Sequence, residues 1–173
     1  MKLRLVLVLS IAAITGCFYP PQQKPLPGRS TEVTVPVAYD LTWDAVHSVI
    51  SANGYRIIRE NPDQGIVEAQ AVGGFTLKDA DCGKLKGIAG NYEAEPDPDA
   101  SAVYDFQVKP KGTDATTVGI QATFSAPLHI PMHPVSDEQC VSRGIEEARL
   151  LEQISRQAST EHRPKFERAL PPE

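Results

Sequence analysis

Apolar and polar residues alternate in short runs along most of this chain, and in two stretches the period lengthens to that of a helix. In Thr31-Glu32-Val33-Thr34-Val35-Pro36-Val37, the three valines share one face of a strand, and Pro36 marks an edge or a strand end. Asp40 then offers a cap to a helix over Leu41 to Asn53. Trp43, Val46, Val49, Ile50 and Asn53 fall at helical spacing there, and Gly54 stands where a left-handed residue closes the last turn. This helix is expected to pack through Trp43, Val46 and Ile50.

Two hairpins follow. Tyr55 to Glu60 and Gly65 to Ala71 flank Asn61-Pro62-Asp63-Gln64, whose residues preset or tolerate a bent backbone. Ala102, Tyr104, Phe106 and Val108 share a face in one later run, and Val118, Ile120, Ala122 and Phe124 in the next. Pro110-Lys111-Gly112-Thr113-Asp114 connects these runs, and the polar alternates Asp105, Gln107, Lys109, Thr117, Gln121 and Thr123 face water. Between the hairpins, residues 72 to 100 are rich in Gly, Asp, Glu and Pro, and only Phe75 to Lys78 fits a short strand. An insert of that length is a functional loop or a mobile one.

The second helical stretch runs from about Ser142 to Gln157. Ile145, Ala148, Leu151 and Ile154 point inward, Glu152 and Arg156 form an i,i+4 pair, and Ser136 with Gln139 could cap an earlier start. From Ala158 the chain is polar and ends in prolines, so disorder is expected over 158–173. The order strand, helix, hairpin, hairpin, helix predicts an α+β domain over 31–157: an antiparallel sheet of four to five strands with two helices packed on one face.

The amino terminus decides where this domain works. Lys2 and Arg4 precede an apolar run from Leu5 to Ile14, too short to span about 30 Å of hydrocarbon and therefore read as a signal peptide over 1–16. Ile14-Thr15-Gly16-Cys17 closes the run and resembles the bacterial lipobox. The resemblance implies diacylglycerol on Cys17, cleavage after Gly16, and acylation of the new amino terminus. Two or three acyl chains hold a protein on a bilayer effectively permanently, where one does not. Phe18 follows, with no Asp to resemble an inner-membrane retention signal, so the implied site is the outer membrane with the domain facing the periplasm. Residues 17–30 carry Pro20, Pro21, Pro25 and Pro27 and read as a lipidated, semi-extended spacer.

Removing residues 1–16 leaves 157 of 173 residues, enough for one domain with its own core. Of 17 Lys and Arg residues, Lys2 and Arg4 leave with the signal, so 15 remain against 22 acidic residues, a net of −7. That balance argues against a nucleic-acid partner, which needs a basic face. With Cys17 acylated, two of the three cysteines remain, Cys82 and Cys140, and an even remainder in an exported chain is most simply a disulfide.

The mature part carries a second likeness. Tyr39-Asp40-Leu41-Thr42-Trp43-Asp44-Ala45-Val46, Gly54-Tyr55-Arg56-Ile57-Ile58-Arg59-Glu60 and Asp63-Gln64-Gly65-Ile66-Val67 resemble the pattern of small envelope lipoprotein domains. Among these are the repeats of the C lipoprotein of the barrel-assembly machine and families of unknown function. The likeness covers about 40 residues and implies a partner-binding role by analogy of fold. This chain differs in having one such domain and the expected disulfide.

Chemistry-bearing residues are few. Pro127-Leu128-His129-Ile130-Pro131-Met132-His133-Pro134 groups two imidazoles and a thioether, soft ligands suited to copper or, with a carboxylate, zinc. Pro131 and Pro134 disfavour the helix that would converge them, and an extended chain holds the two rings about 13 Å apart. Glu93, Glu95, Asp97 and Asp99 invite calcium but lack the EF-hand glycine and terminal bidentate glutamate. Both stretches read as ordinary loops, His47 reads as a surface residue of the first helix, and His162 falls in the expected tail. No catalytic site, metal or cofactor is expected.

Two functions of different class fit these residues. One is a non-enzymatic outer-membrane lipoprotein that binds another envelope protein, or a hydrophobic ligand in the crease between helix and sheet. This binding reading, for either occupant, predicts an exposed apolar groove or patch and no converging titratable groups. The other is an envelope metalloprotein or hydrolase in which His129, His133 and the acidic loop converge in a cleft near Cys82 and Cys140.

Overall fold

The computed structural model describes residues 17–19, 31–71, 74–87, 90–93, 96, 99–127 and 137–161. Its centre is the second hairpin. Strands β8 (Ser101–Pro110) and β9 (Thr116–Pro127) pair over their length, with Ala102 opposite Phe124, Tyr104 opposite Ala122, Phe106 opposite Ile120 and Val108 opposite Val118. Residues directly opposite share a face, so the alternation read from sequence becomes one apolar layer. Phe106, Phe124, Val108 and Val118 in that layer are almost wholly buried.

The first hairpin, β3 (Arg56–Asn61) and β4 (Ile66–Gln70), adds to the β8 side, with Val67 opposite Phe106 and Ala69 opposite Tyr104. A bulge between Ile57 and Arg59 leaves Ile58 unpaired and 47% exposed. Gly65 closes the turn at φ 66°, and its carbonyl accepts the Val108 N–H at 2.7 Å.

Seven antiparallel strands form the sheet, against the four to five expected. The difference arises at β9, whose twelve residues serve two neighbours along one edge. Its first residues pair β2 (Glu32–Val35), and its last pair β10 (Asp137–Ser142), which in turn pairs the two-residue β5 (Ala80–Asp81). The segment Asp137-Glu138-Gln139-Cys140 lacks an apolar alternation and was expected to approach or cap the second helix. It becomes a strand because the far half of β9 offers an open row of backbone donors and acceptors. Phe75 to Lys78 is a turn instead of a strand: the Asp79 carboxylate accepts both the N–H and the hydroxyl of Thr76 at 2.9 Å, holding the chain bent.

A separate three-stranded sheet joins β1 (Cys17–Tyr19), β6 (Lys84–Gly87) and β7 (Gly90–Glu93). The start of the expected spacer is thus a paired strand.

Helix α1 (Tyr39–Ala52) buries Thr42, Ala45, Val46, Val49 and Ile50, while Trp43 is only partly covered and stacks on Tyr39. Asp40 is not the cap; it lies in the first turn, where its charge suits the helix dipole. Ala38 holds the cap position, and Thr42 Oγ1 donates to the Ala38 carbonyl at 3.1 Å. At the other end Gly54, at φ 69°, donates to Ser51 O and Tyr55 donates to Ile50 O, the double bond of a Schellman closure.

Helix α2 (Ile145–Glu161) starts after Ser142-Arg143-Gly144. Ser142 Oγ accepts the Gly144 N–H and donates to Glu147 Oε1, so the start signal falls at the expected Ser142 and not at the earlier alternative of Ser136 with Gln139. The helix runs one turn beyond Gln157, and Ala158 is fully buried. The two helices pack on each other and on the apolar face of the sheet, closing a core that includes Val46, Ile50, Leu150 and Ile154.

Candidate functional site

The densest group of titratable side chains lies where α1 ends and α2 begins. The Schellman closure at Gly54 turns Tyr55 back across the sheet, where its ring stacks on Tyr104 with centroids 5.2 Å apart and planes 6° from parallel. Its hydroxyl donates to Glu146 Oε1 at 2.5 Å. Glu146 also accepts from Arg149 Nε at 2.8 Å, three residues on along α2. Arg149 in turn donates to Asn53 Oδ1 at 2.9 Å, and Asn53 Nδ2 donates to Gln153 Oε1 at 2.9 Å and to Val49 O at 2.7 Å. The chain of bonds runs from the last turn of α1 to the first turns of α2 and back.

The electrostatics of this cluster suit a clasp. Burial, followed by the bond to Glu146, pushes the Tyr55 hydroxyl up to about 12. Burial, with Tyr55 and Glu146 close by, raises Tyr104 further. Burial alone would raise Glu146, but the bonds from Arg149 and Tyr55 outweigh it and hold the carboxylate below its ordinary value. The bond to Glu146 raises Arg149 in turn. Around neutral pH the tyrosines therefore stay protonated and the ion pair stays charged.

One carboxylate oxygen nearby is not used. Glu147 is 2% exposed, and its Oε2 has no hydrogen-bond partner among the described residues. Aromatic contacts continue from the clasp across the core. Tyr104 meets Phe124 edge to face at 6.1 Å, and Phe124 meets Phe75 at 4.8 Å.

Phe75 leads to the base of the insert, which is fixed to the strand before α2. Cys82 and Cys140 stand at bonding distance, Sγ to Sγ 1.99 Å. The Arg143 N–H donates to Asp79 O at 2.8 Å and its Nε to Leu77 O at 2.9 Å. Cys17, the residue of the lipobox resemblance, lies in β1 opposite Lys86.

Val46, Ile50, Leu150 and Ile154 lie in the core closed between the helices and the sheet. Between the two helices lies an open, polar groove of about 310 Å³, lined by Ser48, Ala52, Asn53, Gln153, Arg156 and Thr160. Away from this groove, Ile58 in β3 is a large apolar side chain left exposed. His47 lies on the outer side of α1, its Nε2 3.5 Å from Glu60 and its ring against Trp43. His129, His133, Glu95, Asp97 and His162 lie outside the described residues. Among those that are described, no three His, Cys, Asp or Glu side chains converge as a metal site, and no helix is long and apolar enough to cross a membrane.

The sequence pattern did not single out Tyr55, Tyr104, Glu146 or Arg149. The signals were present but local: Tyr55 follows the glycine that closes α1, and Glu146 and Arg149 are an i,i+3 pair of opposite charge. No protein-family model matches the chain, and no curated protein matches it.

Proposed function

We propose that this is a non-enzymatic lipoprotein of the bacterial outer membrane, anchored through acylated Cys17, whose periplasm-facing domain binds another envelope protein. The lipobox resemblance of Ile14-Thr15-Gly16-Cys17 carries the location. Binding is favoured over catalysis because the titratable cluster of Tyr55, Glu146 and Arg149 is closed on itself, each group engaged with the next. A protein partner is favoured over a hydrophobic ligand because the groove beside Gln153 and Arg156 is polar and open. The resemblance to envelope lipoprotein domains points the same way by analogy.

Crosslinking in living cells, followed by mass spectrometry of the captured proteins, tests this reading. A single envelope protein recovered in proportion to the lipoprotein, and lost on Arg156→Glu, is the expected result. A protein recovered without such a partner, or carrying stoichiometric metal, would overturn it.

A further inference from the structure

The expected spacer would let the domain roam as far as about 45 Å from its lipid, the reach of fourteen extended residues. The observed pairing removes that freedom. Cys17 stands opposite Lys86, Phe18 opposite Leu85 and Tyr19 opposite Lys84, and the next strand continues the rows with Asn91 opposite Lys86, Tyr92 opposite Leu85 and Glu93 opposite Lys84. Strand residues alternate between faces and directly opposed residues share one. Positions 17, 19, 84, 86, 91 and 93 therefore form one face, and 18, 85 and 92 the other.

Resting on the lipoprotein reading, we propose that β1 straps the acylated end of the chain onto the β6–β7 hairpin, so that the face shared by Cys17, Lys84 and Lys86 lies on the phospholipid bilayer. Acyl chains on Cys17 hold that residue at headgroup level. Its cross-strand neighbours, about 5 Å apart strand to strand, must then lie in the same layer. Lys84 on that face is exposed, and its charge suits a layer where lipid phosphates are dense.

The insert also transmits this placement to the main sheet. Just before β6, the chain is tied by Cys82 to Cys140, by β5 to β10, and by Arg143 to Leu77 and Asp79. The long, polar stretch between the hairpins is then a foot that sets the distance of the domain from the membrane. The turn joining β8 and β9 (Lys111 to Ala115) lies at the far end of strands about 33 Å long.

Two measurements on the full acylated chain test the proposal. Tyr19→Cys with Lys84→Cys places thiols at opposed positions, and oxidation should link them, as read by peptide mapping; Tyr19→Cys with Asp114→Cys should not link. A fluorophore on Asn91→Cys, in vesicles of phosphatidylethanolamine and phosphatidylglycerol with spin-labelled headgroups, should be quenched several-fold more than one on Asp114→Cys. Vesicle-bound protein with no Tyr19–Lys84 link, or with equal quenching at both positions, would overturn the strap while leaving the lipid anchor standing. Acylated protein that stays off the vesicles would overturn both readings.

Discussion

Tyr55 donates to the Glu146 carboxylate 2.5 Å away while its ring lies flat against Tyr104, so one side chain ties the end of the first helix to the start of the second. Tyr55→Phe keeps the stack and removes the bond. A hydrogen bond to a charged group contributes about 1.5–3 kcal/mol, and partial exposure of this one puts the expected loss at about 1–2 kcal/mol by urea unfolding at pH 7. Because Glu146 is held below its ordinary value of 4.5, that contribution is present above that pH and fades as acid protonates the folded carboxylate. A variant as stable as the parent at pH 7 would show that the clasp does not hold the helices.

In alkali the same residue sets the opposite limit. A tyrosine raised to about 12 favours the folded state fully below pH 10 and loses that favour as pH rises through the folded value. Stability should fall between pH 10 and 12, and less steeply in Tyr55→Phe, where this ionisation is gone. Equal slopes in the two proteins would contradict the shift.

Gly65 and Gly112 share a left-handed backbone, at φ 66° and 75°, but not a surrounding. A Cβ at Gly65 would stand 1.9 Å from Val108 O, whereas one at Gly112 meets nothing within 4 Å. Gly112→Ala should cost about 1–2 kcal/mol, the ordinary left-handed penalty. Gly65→Ala should cost clearly more, because β4 must move off β8. Equal costs in thermal unfolding would show that the two hairpins are not held so closely.

Cys82 and Cys140 close a loop over a separation of 58 residues. In the chain-entropy account a link of this length restricts the unfolded chain by about 4 kcal/mol. Replacing both by alanine should lower stability by about 2–4 kcal/mol and speed proteolysis within residues 72–100, whose base the pair fixes. A protein indifferent to reductant in both measurements would contradict this.

What could be read from the chain divides by the range of the cause. Both hairpins, the inward rows of the second and the Gly54 closure follow from period-two patterning and turn chemistry, and the structure reproduces the row from Ala102 to Val108 residue by residue. β10 carries no such pattern: its strand state comes from the open edge at the end of β9, ten residues earlier, and not from its own alternation. The start of α2, read at about Ser142, lies within one turn of the observed Ile145, and the bonds of Ser142 to Gly144 and Glu147 mark it. The clasp joins Asn53, Tyr55 and Tyr104 to residues nearly fifty to a hundred positions away, and no local pattern encodes such meetings. The lipobox resemblance, by contrast, rests on four adjacent residues.

The central claim is that a lipid on Cys17 fixes this domain to a membrane surface. Metabolic labelling with a palmitate analogue, on the parent and Cys17→Ser side by side, tests it most directly. The account predicts label on the parent, none on the variant, and loss of the variant from the membrane fraction. An unlabelled parent, or a variant that stays on the membrane, would contradict it.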